Sequence, residues 1–104
     1  MGTTIGAKIK ALRDEKGYTL DKLAELADSS KSYIWELENK NPPRPSADKL
    51  AKIATALGVS LDYFVDGEVT VEDAADKSFY RKYQKMDAAT KKKIRKMVEL
   101  WDEE

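Results

Sequence analysis

The side chains that most often carry out chemistry are absent from this sequence. It has no histidine and no cysteine, so it lacks the base that titrates near neutrality, the commonest metal ligand, thiolate nucleophiles and any disulfide. No pair of carboxylates stands out for general acid and base work, and no glycine-rich loop is spaced to cradle a phosphate. The expectation is a protein that binds rather than one that catalyses, with no metal and no cofactor. Charge narrows the kind of binding. Nineteen lysines and arginines balance nineteen aspartates and glutamates, which argues against coating nucleic acid by bulk attraction. Residues 1–66 hold ten charges of each sign and residues 67–104 hold nine of each. Recognition must therefore come from local placement of side chains.

The elements that would position them are helical throughout. Hydrophobic residues make up 41% and charged residues 37% of 104 positions, enough for one core and a small appendage. Ile5, Ile9 and Leu12 recur at helical spacing behind a cap at Thr3 or Thr4, and Gly17 ends the run. Thr19 caps a second helix whose inner face is Leu20, Leu23, Ala24 and Ala27, and Asp28-Ser29-Ser30 closes it. A third, capped by Ser29 or Ser30, points Ile34 and Leu37 inward and must stop before Asn41, because the residue ahead of Pro42 is driven out of the helical region. All three prolines fall in the stiff connector Pro42-Pro43-Arg44-Pro45.

Ser46 then caps a fourth helix with Leu50, Ile53, Ala54 and Leu57 on one face, closed by Gly58. Ser60 is expected to cap a short fifth helix with Leu61 and Phe64, ending at Asp66-Gly67. Residues 67–75 lack helical periodicity and read as a linker. Phe79, Tyr80, Tyr83 and Met86 mark a sixth helix, and Asp87 caps a seventh with Ile94, Met97, Val98 and Trp101 in a stripe. No apolar run reaches the roughly 18 residues of a membrane span, and Met1 to Lys10 has no secretory apolar block, so a cytoplasmic protein without a membrane partner is expected.

Two short helices joined by a tight turn are what reading a DNA groove requires, one bracing on the backbone while the other lies among base edges. The strings Leu23-Ala24-Glu25-Leu26-Ala27, Ser30-Lys31-Ser32-Tyr33-Ile34, Leu37-Glu38-Asn39, Pro45-Ser46 and Leu57-Gly58-Val59-Ser60-Leu61-Asp62-Tyr63 stand in that order. Over roughly residues 4–66 the chain resembles the lambda repressor and Cro-like helix-turn-helix family, the XRE-type regulators. The resemblance implies a five-helix DNA-binding domain over residues 1–66; with the linker at 67–75 and a two-helix element over 76–104 for dimerisation or interaction, both read from the residues themselves, the expected fold is all-α.

The resemblance also implies a sequence-specific transcriptional regulator of double-stranded DNA, a repressor binding a palindromic operator as a homodimer. The base-reading positions fall on Lys31, Ser32, Trp35 and Glu36. Lys31 would donate to guanine O6 and N7, and Ser32 to several edges. Glu36 would accept from cytosine N4 or else pair with Lys40, while Trp35 would meet a thymine methyl, a partner protein or the Pro42-Pro43 loop. Phosphate contacts fall on Thr19, Lys22, Asn39, Lys40 and Arg44. A structural ion pair is implied between Arg13 and Glu38. At the turn the chain departs from the family, with Asp28 and Ser29 where glycine and an apolar residue are usual. Aspartate must then accept a left-handed backbone, and one core contact is lost.

Phe79, Tyr80, Tyr83, Ile94, Met97, Val98 and Trp101 are too apolar for a free tail. They form either a dimer interface or a cap on the core. Lys91, Lys92, Lys93, Arg95 and Lys96 open the last helix, while Asp102, Glu103 and Glu104 close it. Both clusters oppose the helix dipole, a mismatch that antiparallel pairing with a second copy would relieve. An antitoxin-type module, using the same segment to hold a partner toxin, is the rival to a free-standing regulator with a regulatory protein partner.

Overall fold

Capping chemistry divides the chain. In the computed structural model, which describes residues 4–40 and 45–102, Thr4, Thr19, Ser30, Ser46 and Thr70 each sit in extended backbone. Each turns its side-chain oxygen back to accept a helix-opening amide, satisfying one of the donors a helix start leaves orphaned. These caps open α1 (Ile5–Glu15), α2 (Leu20–Leu26), α3 (Lys31–Asn39), α4 (Ala47–Leu57) and α6 (Val71–Gln84). Between the last two lies the single turn α5 (Asp62–Val65). The seventh helix, α7 (Ala88–Asp102), opens at Asp87, which accepts the Thr90 amide at 2.8 Å. No strand occurs among the described residues. Thr3, Asn41, the run Pro42-Pro43-Arg44, Glu103 and Glu104, which the sequence reading invoked, lie outside them.

Left-handed residues close three of the helices. Gly17 (φ 70°) ends α1 and Gly58 (φ 73°) ends α4. At the end of α2 Asp28 takes the same conformation, φ 52°, as its position in the turn demanded. There the amide of Ser29 donates to the carbonyl of Ala24, five residues earlier, at 2.8 Å, the 6→1 bond of a Schellman motif. Aspartate tolerates this backbone better than most residues.

The core is built from the inward stripes: Ile9 and Leu12 of α1, Leu23 and Ala24 of α2, Ile34 and Leu37 of α3, Leu50, Ile53, Ala54 and Leu57 of α4, with Val59 and Phe64. Ile9, Leu23, Ile34, Leu50, Ile53 and Leu57 are almost wholly removed from water, each contributing about 1.5–3 kcal/mol of transfer free energy. α2 packs on α3 and α4, and α1 lies across α3.

Two expectations are corrected. Residues 67–75 are not a free linker, because α6 begins at Val71 and Ala74 is fully buried in the core, flanked by Val69 and Val71. The Ser60 amide donates to the Ala74 carbonyl at 3.0 Å, so backbone pairing ties this stretch to the end of α4. Periodicity missed it because the contact is made by the small residue Ala74 together with Val69 and Val71, which precede the aromatic stripe that marked α6. Ser60 also does not cap α5; that helix starts from Leu61 without a side-chain cap, and the buried Ser60 hydroxyl donates to the Asp62 carboxylate. Lys77 of α6 reaches the other oxygen of Asp62 at 2.6 Å, and together these hydrogen bonds hold the Asp62 carboxyl below its usual range.

Beyond Ala74, α6 continues alongside α4 and α5, where Lys77 reaches Asp62 and Ser78, Arg81, Lys82 and Lys85 line a cavity with Ala51, Ala54 and Thr55. No residue of α7 is buried, and the radius of gyration, 15.7 Å, exceeds the roughly 13 Å of a compact chain this long.

Candidate nucleic-acid interface

The third helix has two faces with different tasks. Ile34, Leu37 and Glu38 turn inward at i, i+3 and i+4, whereas Lys31, Ser32, Trp35, Glu36 and Asn39 lie together on the solvent side. The structure thus brings all four expected base-reading side chains, plus Asn39, onto one exposed strip running from the helix start. Nothing in the core competes for them.

The strip is aimed by a contact beneath it. Arg13 of α1 grips Glu38 with both arms of its guanidinium, Nε to Oε2 at 2.8 Å and one terminal nitrogen to Oε1 at 3.0 Å. Its remaining nitrogen donates to the Tyr18 carbonyl at 2.8 Å. The Glu38 side chain is 2% exposed and that of Arg13 13%, and hydrogen bonding to Glu38 holds the guanidinium even more firmly protonated than usual. A buried pair of this kind adds little net stability after desolvation, but it fixes an angle, since any tilt of α3 would leave the carboxylate uncompensated.

Sequence reasoning missed a second constraint at the same crossing. Gly6 is buried where α1 crosses α3, and a Cβ there would stand 2.0 Å from the Leu37 carbonyl oxygen. Only a glycine lets the two backbones approach so closely. The available signal was a glycine inside an otherwise regular apolar stripe, between Ile5 and Ile9.

Of the expected phosphate-contacting residues, Asn39 ends α3 on the strip itself and Lys40 follows it, while Thr19 and Lys22 stand at the start of α2. Thr19, Lys22, Asn39 and Lys40 are all exposed. The Thr19 side chain accepts from the Lys22 amide at 3.0 Å, so its cap role is formed. Asn39 donates from its side-chain amide to the Trp35 carbonyl at 2.9 Å. Arg44 lies outside the described residues. The Trp35 indole is 44% exposed with the Lys40 ammonium over its ring, 5.6 Å from the centroid. Among the described residues Glu36 has no ion-pair partner, so the pairing with Lys40 weighed from sequence is not formed and its carboxylate remains free to accept. Lys31 has a partner that spacing did not reveal, Asp21 of α2, at 3.6 Å.

Far from this strip, the α6–α7 hairpin carries an apolar groove lined by Phe79, Tyr80, Tyr83, Ile94, Arg95, Val98 and Glu99. Phe79 stacks on Tyr83 with ring centroids 6.3 Å apart, and Arg95 donates to the Tyr83 hydroxyl at 2.6 Å. Phe79, Tyr80, Met97, Val98 and Trp101 are each more than half exposed. The stripe therefore does not cap the core.

Residues 9–64 match the family model described as Helix-turn-helix. Among curated proteins, the HTH-type transcriptional regulator SinR of Bacillus subtilis (strain 168) is 42% identical over 62 residues, 60% of this chain and 56% of the relative. The immunity repressor protein of Bacillus phage phi105 is 35% identical over 99 residues, 95% of this chain and 67% of the relative. The chain thus spans between about half and two thirds of the length of these proteins. Two solved structures of SinR superpose on it. One, in complex with DNA, has 41% identity and TM-score 0.57 over 61% of this chain and all of that one. The other, the SinR–SinI protein complex, has 31% identity and TM-score 0.58 over 95% of both.

Proposed function

The chain belongs to the helix-turn-helix family of lambda repressor and Cro-like, XRE-type regulators, and on that footing we propose that it is a cytoplasmic, sequence-specific transcriptional regulator of double-stranded DNA, a repressor that occludes a palindromic operator as a homodimer. The observation that carries this is the exposed strip Lys31, Ser32, Trp35, Glu36 on a helix held at a set angle by the buried Arg13–Glu38 pair. Such a helix start enters the major groove with its first turns against base edges. Lys31 donates to guanine, Ser32 to a neighbouring edge, Glu36 accepts from cytosine N4, and the Trp35 ring packs on a thymine methyl. Thr19, Lys22, Asn39, Lys40 and Arg44 set register on the phosphates.

Residues 1–66 with the start of α6 form the reading domain, and the rest of the hairpin supplies the second half of the reading unit. One such domain reads only a few base pairs, and two copies place their recognition helices about 34 Å apart on a two-fold site. The apolar face of α6 and α7 is the surface proposed to join them, through Phe79, Tyr80, Tyr83, Ile94, Met97, Val98 and Trp101. SinR forms a complex with the protein SinI, and a regulatory protein partner of this chain would compete for the same apolar face.

Selection of bound sequences from a random duplex pool tests the proposal. A two-fold consensus is expected, with Lys31→Ala relaxing preference at one position per half-site and Glu36→Ala at another. A pool that emerges without any consensus would refute sequence-specific reading.

A further inference from the structure

We infer that Asp21 is a positioning residue for Lys31, making that lysine a reader of neutral hydrogen-bond acceptors rather than of phosphate charge. The inference rests on the proposed base-reading role of Lys31. Asp21 stands in the first turn of α2 and Lys31 is the first residue of α3, so the pair spans the two helices of the motif. The ammonium lies 3.6 Å from the carboxylate, with the lysine side chain 60% and the aspartate 73% exposed. An ion pair this open does little for stability, and its position on the DNA-facing side gives it another consequence.

A lysine ammonium is a point charge with three donors on a flexible stem. Alone, it satisfies itself on any phosphate, which attracts it at every sequence alike. Beside Asp21 the pair is neutral overall, and approach to a phosphate brings the carboxylate toward a second anion. The contact with a guanine edge carries no such penalty. One donor stays toward Asp21 while two remain for O6 and N7, both uncharged acceptors. At 3.6 Å the pair is looser than a hydrogen bond, so the ammonium can shift toward the groove without losing its counter-charge. The favourable placement of an acid at the start of α2 explains an acidic residue there for helix stability alone, but it does not involve Lys31, and that difference makes the two roles separable.

The test is a double-mutant cycle on the full chain, Asp21→Asn and Lys31→Met alone and together, with folding checked by circular dichroism. Binding is measured to the selected site, to that site with the Lys31-dependent base pair replaced, and to random duplex, each at several salt concentrations. Asp21→Asn is expected to raise affinity for random duplex several-fold, to steepen the salt dependence by about one counterion, and to lower discrimination at the replaced base pair several-fold. In the Lys31→Met background the same change should leave discrimination and salt slope unaltered. If Asp21→Asn shifts all sequences equally in both backgrounds, Asp21 is an ordinary repelling charge and the inference is overturned. If Lys31→Met itself changes no base preference, the reading role of Lys31 falls, and the positioning role of Asp21 with it.

Discussion

Replacing Gly6 by alanine sets two physical effects against each other. By helix propensity alone, alanine is better than glycine by about 1 kcal/mol in a helix interior and by less at Gly6, the second residue of α1, so the change should stabilise α1 slightly. The crossing with α3 says the opposite. The new Cβ would lie 2.0 Å from the Leu37 carbonyl oxygen and about 3 Å from the Leu37 carbonyl carbon and Glu38 Cα, all backbone atoms, where ordinary contact begins at 3.4 Å. Relief requires α1 and α3 to part by about 1.4 Å along the line from the new Cβ to that oxygen, because no side-chain rotation can clear the contact. Overpacking of this kind costs typically 1–3 kcal/mol and sometimes more, and separation also stretches the Arg13–Glu38 pair one residue away. The net expectation is destabilisation by about 2 kcal/mol, a melting temperature lower by roughly 10 °C in a chain of this size. Operator affinity should fall about tenfold, the loss of roughly one 1.4 kcal/mol contact as the reading helix shifts. Thermal and urea unfolding measure the first and fluorescence anisotropy on labelled duplex the second. Ala11→Gly, at an exposed position of the same helix, calibrates propensity and should lose about 1 kcal/mol. A Gly6→Ala protein that melts at or above the parent would refute the close-approach reasoning.

Arg13→Met should cost about 3–5 kcal/mol in urea titration by stranding the Glu38 carboxylate in the interior, and the double variant Arg13→Met with Glu38→Gln should recover much of that loss. Because the Asp62 carboxyl is held below its usual range by Lys77 and Ser60, the unfolded chain binds more protons than the folded one as pH drops. The stability from this group is complete above the unfolded value of about 3.9 and is lost as pH falls through the lower folded one. Asp62→Asn should therefore be less stable than the parent at pH 6, with the gap closing as unfolding midpoints are taken below pH 4. Val98→Asp, at a position more than half exposed, should leave the melting temperature nearly unchanged while shifting sedimentation from dimer to monomer. A variant that still sediments as a dimer would remove the hairpin face from the interface.

Most of the architecture could be read along the chain, because local chemistry announces itself locally. Thr19 and Ser46 cap where they stand, Gly17 and Gly58 take the left-handed backbone that closes a helix, and Asp28 does the same at a site where glycine was expected. The apolar stripes named the core residues correctly because a 3.6-residue period and a buried face are one geometric fact. The strip Lys31, Ser32, Trp35, Glu36 followed from where α3 begins and which of its residues must turn inward.

What remained hidden depends on distance through space between residues far apart in the chain. The 2.0 Å clearance at Gly6, the pairing of Asp21 with Lys31 and the Asp62–Lys77 contact each join different helices, and sequence spacing carries no measure of how two helices cross. Ala74 looked like part of a linker because it, Val69 and Val71 precede the aromatic stripe that marked α6, yet its contact extends the core into α6. Residue type set which faces are apolar, which ends are capped and which charges exist. The packing of α1 on α3, governed by a backbone approach and a buried ion pair, set the direction in which the exposed strip points.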